Sequence, residues 1–125
     1  MNLGEVYYWV TDQAIGHVAR PKYHLYICPS DGMEDNTFLF ISKSDYGGDY
    51  KILKRDYDFF ELEESFVSCG SIVTYTDDRL ARFEKNPVGS LSDLHLKELY
   101  RAVLDSEVME TRHIKRVCNA LKCKL

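Results

Sequence analysis

The chain has 125 residues, 45% of them hydrophobic and 13% aromatic, which fits one compact domain and excludes a disordered tail or a fibrous array. Its 16 Lys and Arg against 20 Asp and Glu leave a net charge of −4. A broad basic coat that neutralises many phosphates is thereby excluded, although a small, focused cationic site is compatible with that balance. No apolar run is long enough to span a bilayer, and Met1-Asn2-Leu3-Gly4-Glu5 lacks the basic-then-apolar pattern of a secretory signal, so a cytoplasmic protein with no membrane association is expected.

Taken in chain order, Val6 to Val10 is β-branched and aromatic and predicts a first strand. A polar loop, Thr11 to Pro21, separates it from a second strand over Tyr23 to Cys28, with Leu25 and Ile27 on one face and His24, Tyr26 and Cys28 on the other. Pro29-Ser30-Asp31-Gly32 signals a turn, Thr37 to Ser42 a third strand, and Asp45-Tyr46-Gly47-Gly48-Asp49 another break. Tyr50 to Leu53 is a weak strand, Tyr57 to Glu64 has no clear pattern, and Ser65 to Tyr75 alternates as a last long strand, in which Gly70 suggests a bulge or a close backbone approach.

Helical signals follow. Asp77 is suited to cap a short helix over Asp78 to Glu84, closed by Asn86-Pro87. Ser92 caps the next, with Leu91 and Leu96 at hydrophobic-staple spacing and Leu96, Leu99, Tyr100, Val103 and Leu104 as its buried stripe. Thr111 caps a third, with Ile114, Val117, Cys118 and Leu121 at helical spacing. The expected class is α+β: a small, mostly antiparallel barrel or curled sheet over about 1–76 with helices over about 77–125, in a single domain.

Charge is uneven along the chain. Asp56, Asp58, Glu61, Glu63 and Glu64 form an acidic stretch without the spacing or the glycine turn of a cation-binding loop, and Arg112, Lys115, Arg116, Lys122 and Lys124 make the last helix basic. Both are expected to be solvated faces; docking of an acidic partner or of RNA on the basic one is the alternative. Cys28, Cys69, Cys118 and Cys123 contain no C-x-x-C pair, and free, mostly buried thiols are expected. Cys118 and Cys123 stand about 140° apart round a helix, and His24 and Cys28 lie roughly 13 Å apart along a strand. Neither makes half a metal site, and no metal or other cofactor is expected.

The most informative stretch runs Gly4-Glu5-Val6-Tyr7-Tyr8-Trp9, then Gly16-His17-Val18-Ala19-Arg20-Pro21-Lys22-Tyr23-His24. Arg20 emerges from a loop onto a rigid strand, where its planar fork of donors suits a phosphate, Pro21 fixes its neighbour's backbone and Gly16 permits close approach. His17 is able to exchange protons near neutral pH. Lys22 and His24 are further candidates for substrate contact, with packing in the strand as the alternative for both and the favoured reading of His24. Tyr7, Tyr8, Trp9, Tyr23 and Tyr26 are able to stack unpaired bases, but aromatics on alternating strands are more often core.

This succession of motifs resembles the MazF/PemK-like toxins: Gly4-Glu5-Val6, a loop glycine, Arg20-Pro21 and an apolar strand; then Phe38 to Ser44; then Val67 to Leu80; then Val88-Gly89-Ser90-Leu91-Ser92. It covers most of residues 4–104, in order. Trp9 and Val10 stand where the family places an acidic residue, Ala19 precedes Arg20 where the family has Gln, and Cys69-Gly70 replace its frequent Asp-Gln. The resemblance implies an SH3-like barrel, a homodimer, and metal-independent cleavage of single-stranded RNA by the toxin of a toxin–antitoxin or phage-defence pair, silenced by a cognate antitoxin. It makes Arg20 the catalytic cation and Ser42 or Ser44, two residues apart on one strand face, the hydroxyl donor; from the residues themselves His17 is expected to assist and Gly16 to lie at the substrate, and Lys22 and His24, additions to the family's pattern, are expected to replace its missing polar groups there. A noncatalytic barrel that binds a protein partner is the alternative.

Overall fold

The computed structural model of the chain describes residues 1–11 and 19–125. His17 and Gly16 lie outside the described residues. Among the described residues seven strands form one antiparallel sheet: β1 Glu5–Thr11, β2 Arg20–Cys28, β3 Asn36–Ser42, β4 Tyr50–Leu53, β5 Glu64–Val67, β6 Val73–Tyr75 and β7 Gly89–Ser90. The order is β4-β5-β3-β2-β1-β7, with β6 also paired to β3. The helices α1 Asp77–Leu80, α2 Asp93–Leu104 and α3 Thr111–Leu121 complete an α+β fold in which the sheet curls into a half-barrel. It stops short of a closed barrel: among the described residues β4 and β7 do not pair with one another.

Strand alternation decides what each face packs against. Val6 pairs with Leu25 and Leu25 with Leu39, and this wholly buried row meets Leu96, Leu99, Val103, Val117 and Leu121 from α2 and α3. The opposite face carries Tyr7, Trp9, Tyr26, Phe38, Val73 and Tyr75, covered by Leu80 and Phe83 from the α1 segment. Trp9 stacks on Phe83 at 4.6 Å between ring centroids, and its Nε1 donates to the Glu84 carbonyl at 2.6 Å. Tyr7, Trp9 and Tyr26 are thus core, whereas Tyr8 is 43% exposed.

The expected single strand over 65–75 is two strands. Between the Ile41–Val67 and Phe38–Val73 pairs, Leu39 and Phe40 of β3 face residues 68–72, so three extra residues bulge out around Gly70. That bulge carries Ser68, Gly70 and Ser71 to the mouth of a cleft described below.

The helix ends differ in detail from expectation. Thr76, one residue before Asp77, caps α1 by accepting from the Arg79 amide, while the Asp77 carboxylate accepts from Asn36 Nδ2 at 2.7 Å. Ser92 caps α2 by accepting from the His95 amide, and Leu91 and Leu96 are both buried beside it. Leu104 at the end of α2 is exposed. Glu110, not Thr111, is the cap residue of α3. The last helix is not a plain solvated face either. Arg116 turns inward, donating to Asp31 Oδ2 at 2.6 Å, Thr37 Oγ1 at 2.8 Å and the Pro29 and Asp35 carbonyls, and so pins the β2–β3 turn against α3. The acidic residues of 56–64 are exposed, and all four cysteines are free thiols, Cys123 exposed and the others at least partly buried.

Candidate functional site

The entry to β2 and the exit of β3 lie side by side. In the antiparallel register Tyr23 pairs with Ile41 and His24 with Phe40, so one step further Lys22 stands opposite Ser42. Lys22 Nζ donates to Ser42 Oγ at 2.7 Å and sits 5.3 Å from the centre of the Phe40 ring. Arg20, exposed, precedes Lys22 by two and shares its strand face.

Two adjoining clefts, of about 260 and 290 Å3, share Arg20, Lys22, Ser42 and Tyr46 in their walls. The first continues past Tyr8, Tyr23, Lys43 and Glu61, the second past Phe40, Asp49 and the Ser68–Ser71 bulge. Burial, followed by the charges of Arg20 and Lys43, holds the Lys22 ammonium below the usual lysine range. Three cations, Arg20, Lys22 and Lys43, thus gather at the first cleft of a chain of net negative charge, with the Glu61 carboxylate in the same wall.

The Asp45–Asp49 turn forms the wall that holds Tyr46. Asp45 Oδ1 accepts from the Gly47 and Asp49 amides, and Asp49 accepts from the Tyr46 amide through Oδ2 and the Cys69 amide through Oδ1. Gly47 and Gly48 have φ of +113° and +79°, a backbone that favours glycine. Read from the sequence the segment is only a break between strands; in the fold Asp49 binds the bulge that follows β5, and Tyr46 lines both clefts. Lys43 and Tyr46 are accordingly the site residues that sequence reasoning passed over.

His24 lies one step deeper on the same face as Lys22 and is fully buried. Its Nδ1 is 2.9 Å from the Lys22 carbonyl, which can only accept, so Nδ1 carries the proton and Nε2 accepts from the Tyr75 hydroxyl at 2.8 Å. The Tyr75 and Thr11 hydroxyls are 2.8 Å apart. Burial drives the imidazole down to about 4, so it is neutral at pH 7. His24 therefore does not reach the clefts; it braces the backbone of Lys22 from within an aromatic cage of Trp9, Phe38, Phe40 and Tyr75.

Of the two serine candidates, Ser42 lines both clefts, while Ser44 is exposed in the bend beyond β3 and lines neither. Arg20, Lys22 and Ser42 are thus brought together, Tyr8 and Tyr23 flank them in edge contact at 4.5 Å, and His24 supports them. A larger cleft of about 530 Å3 between α3 and the β2–β3 turn is lined by charges of both signs, including Asp31, Glu34, Lys115 and Arg116. Among the described residues no group of three His, Cys, Asp or Glu side chains is placed to hold a metal ion, and no helix is long and apolar enough to cross a membrane. No protein-family model and no curated protein matches the chain.

Proposed function

We propose that the paired clefts bind the backbone of single-stranded RNA and that the protein cleaves it as the toxin of a toxin–antitoxin or phage-defence pair, a divergent SH3-like relative of the MazF/PemK-like toxins. The observation that carries this is the meeting of Arg20, Lys22, Lys43 and Ser42 around a gap with Tyr8, Tyr23 and Tyr46 at its edges. Cations and a hydroxyl donor match a phosphodiester, and aromatic faces match unpaired bases.

The chemistry follows from the charges. When the ribose 2′-oxygen attacks the adjacent phosphorus, negative charge builds on the phosphoryl oxygens, and the Arg20 fork with the Lys43 ammonium stabilises it more in the transition state than before it. The cations of the chain supply that charge, so no bound metal is required. In the same proposal the protein works in the cytoplasm as a homodimer, and a cognate antitoxin silences it by covering the clefts.

Incubation with single-stranded RNA in excess chelator is expected to give fragments ending in 2′,3′-cyclic phosphate and 5′-hydroxyl, with DNA of the same sequence left intact. RNA that is neither bound nor cut overturns the proposal; RNA bound but uncut leaves binding without the enzyme.

A further inference from the structure

We propose that Lys22 and Ser42 act as one proton-delivering pair, in which the Ser42 hydroxyl protonates the departing 5′-oxygen and Lys22 replaces that proton. The role rests on the ribonuclease reading above and goes beyond phosphate binding, because the two side chains are bonded to each other at 2.7 Å across the β2–β3 ladder. With the ammonium donating to Ser42 Oγ, the serine's own proton is turned toward other acceptors.

The step balances. The 2′-hydroxyl loses its proton to solvent hydroxide, the O2′–P bond forms and the P–O5′ bond breaks. The leaving oxygen takes the Ser42 proton, Ser42 Oγ takes one from Lys22, and neutral Lys22 is reprotonated by water. The cradle suits a lysine that gives up its proton readily: it is half-buried against Phe40, between the cations Arg20 and Lys43. The carboxylates that line the clefts with it are Glu61 and Asp49, and Asp49 is taken up by the Tyr46 and Cys69 amides. The phenols of Tyr8, Tyr23 and Tyr46 complete the ring of titratable groups, and His24 behind it is neutral.

Ordinary phosphate contact by Lys22 predicts a different kinetic pattern, so pH profiles of RNA cleavage by wild type, Lys22→Arg, Lys22→Met and Ser42→Ala decide the matter. Wild-type kcat is expected to rise with pH and then fall at a pH below that of an ordinary lysine. Lys22→Met and Ser42→Ala should each lower kcat by about 10²–10⁴-fold with KM nearly unchanged, and the double variant should be little worse than either. Lys22→Arg should be as slow as Lys22→Met, since a guanidinium that does not deprotonate there has no proton to hand to Ser42. A change confined to KM, fully multiplicative effects of the two substitutions, or a near-wild-type kcat in Lys22→Arg overturns the pair while leaving the ribonuclease in place. A wild type that binds RNA without cutting it overturns both.

Discussion

Arg20→Ala is expected to lower kcat/KM for RNA cleavage by about 10²–10³-fold, the usual cost of removing one donor from the transition-state charge. The side chain is exposed at the first residue of β2, so the melting temperature should change little, as for most surface substitutions. Arg20→Lys should recover only part of the loss, because it keeps the charge but not the planar pair of donors. Thermal melts beside single-turnover rates separate the two effects. Unaltered cleavage in a folded Arg20→Ala protein removes Arg20 from the chemistry; a large drop in melting temperature assigns it to the fold.

The second large effect is an acid instability centred on His24. Its folded pKa is about 4 against an ordinary value near 6.5, so between those values the unfolded chain binds more protons and stability rises with pH. The contribution is complete above pH 6.5 and is lost as pH falls toward 4, for a total of about 3 kcal/mol. Urea unfolding at pH 7 and pH 4 should therefore show the wild type losing about 3 kcal/mol more than His24→Gln, a variant that keeps a polar group near Tyr75. An imidazole still neutral by NMR at pH 5 checks the same point without any substitution. Equal losses in both proteins, or a His24 that titrates near 6.5, contradict the burial argument.

Much of this was legible in the residues. Alternation in Tyr23 to Cys28 assigned Leu25 and Ile27 to one face and His24, Tyr26 and Cys28 to the other; those faces separate the two cores, except that Cys28, beyond the register shift after Tyr26, packs with Leu25 and Ile27. Ser92, Leu91 and Leu96 announced α2 because a cap and a staple are local devices. Gly70 announced the bulge but not its size, which only the pairing of β5 and β6 along β3 sets. The N-cap slipped from Asp77 to Thr76 because Asn36, 41 residues earlier in the chain, draws the Asp77 carboxylate away. Arg20 was visible as a fork beside a proline. Ser42 was not separable from Ser44 until the strand register set it opposite Lys22, and Lys43 and Tyr46 acquire a role only because the Asp45–Asp49 turn is bound across the bulge.

The central claim is that an RNA backbone lies along the clefts shared by Arg20, Lys22 and Ser42. It is tested most directly by following backbone amide shifts while the protein is titrated with a single-stranded oligonucleotide 2′-O-methylated throughout, which binds without being cut. The shifts are expected at Arg20, Lys22, Ser42, Lys43, Tyr46 and the Ser68–Ser71 bulge; no shifts, or shifts confined to the basic face of α3 around Arg112 and Lys115, would contradict it.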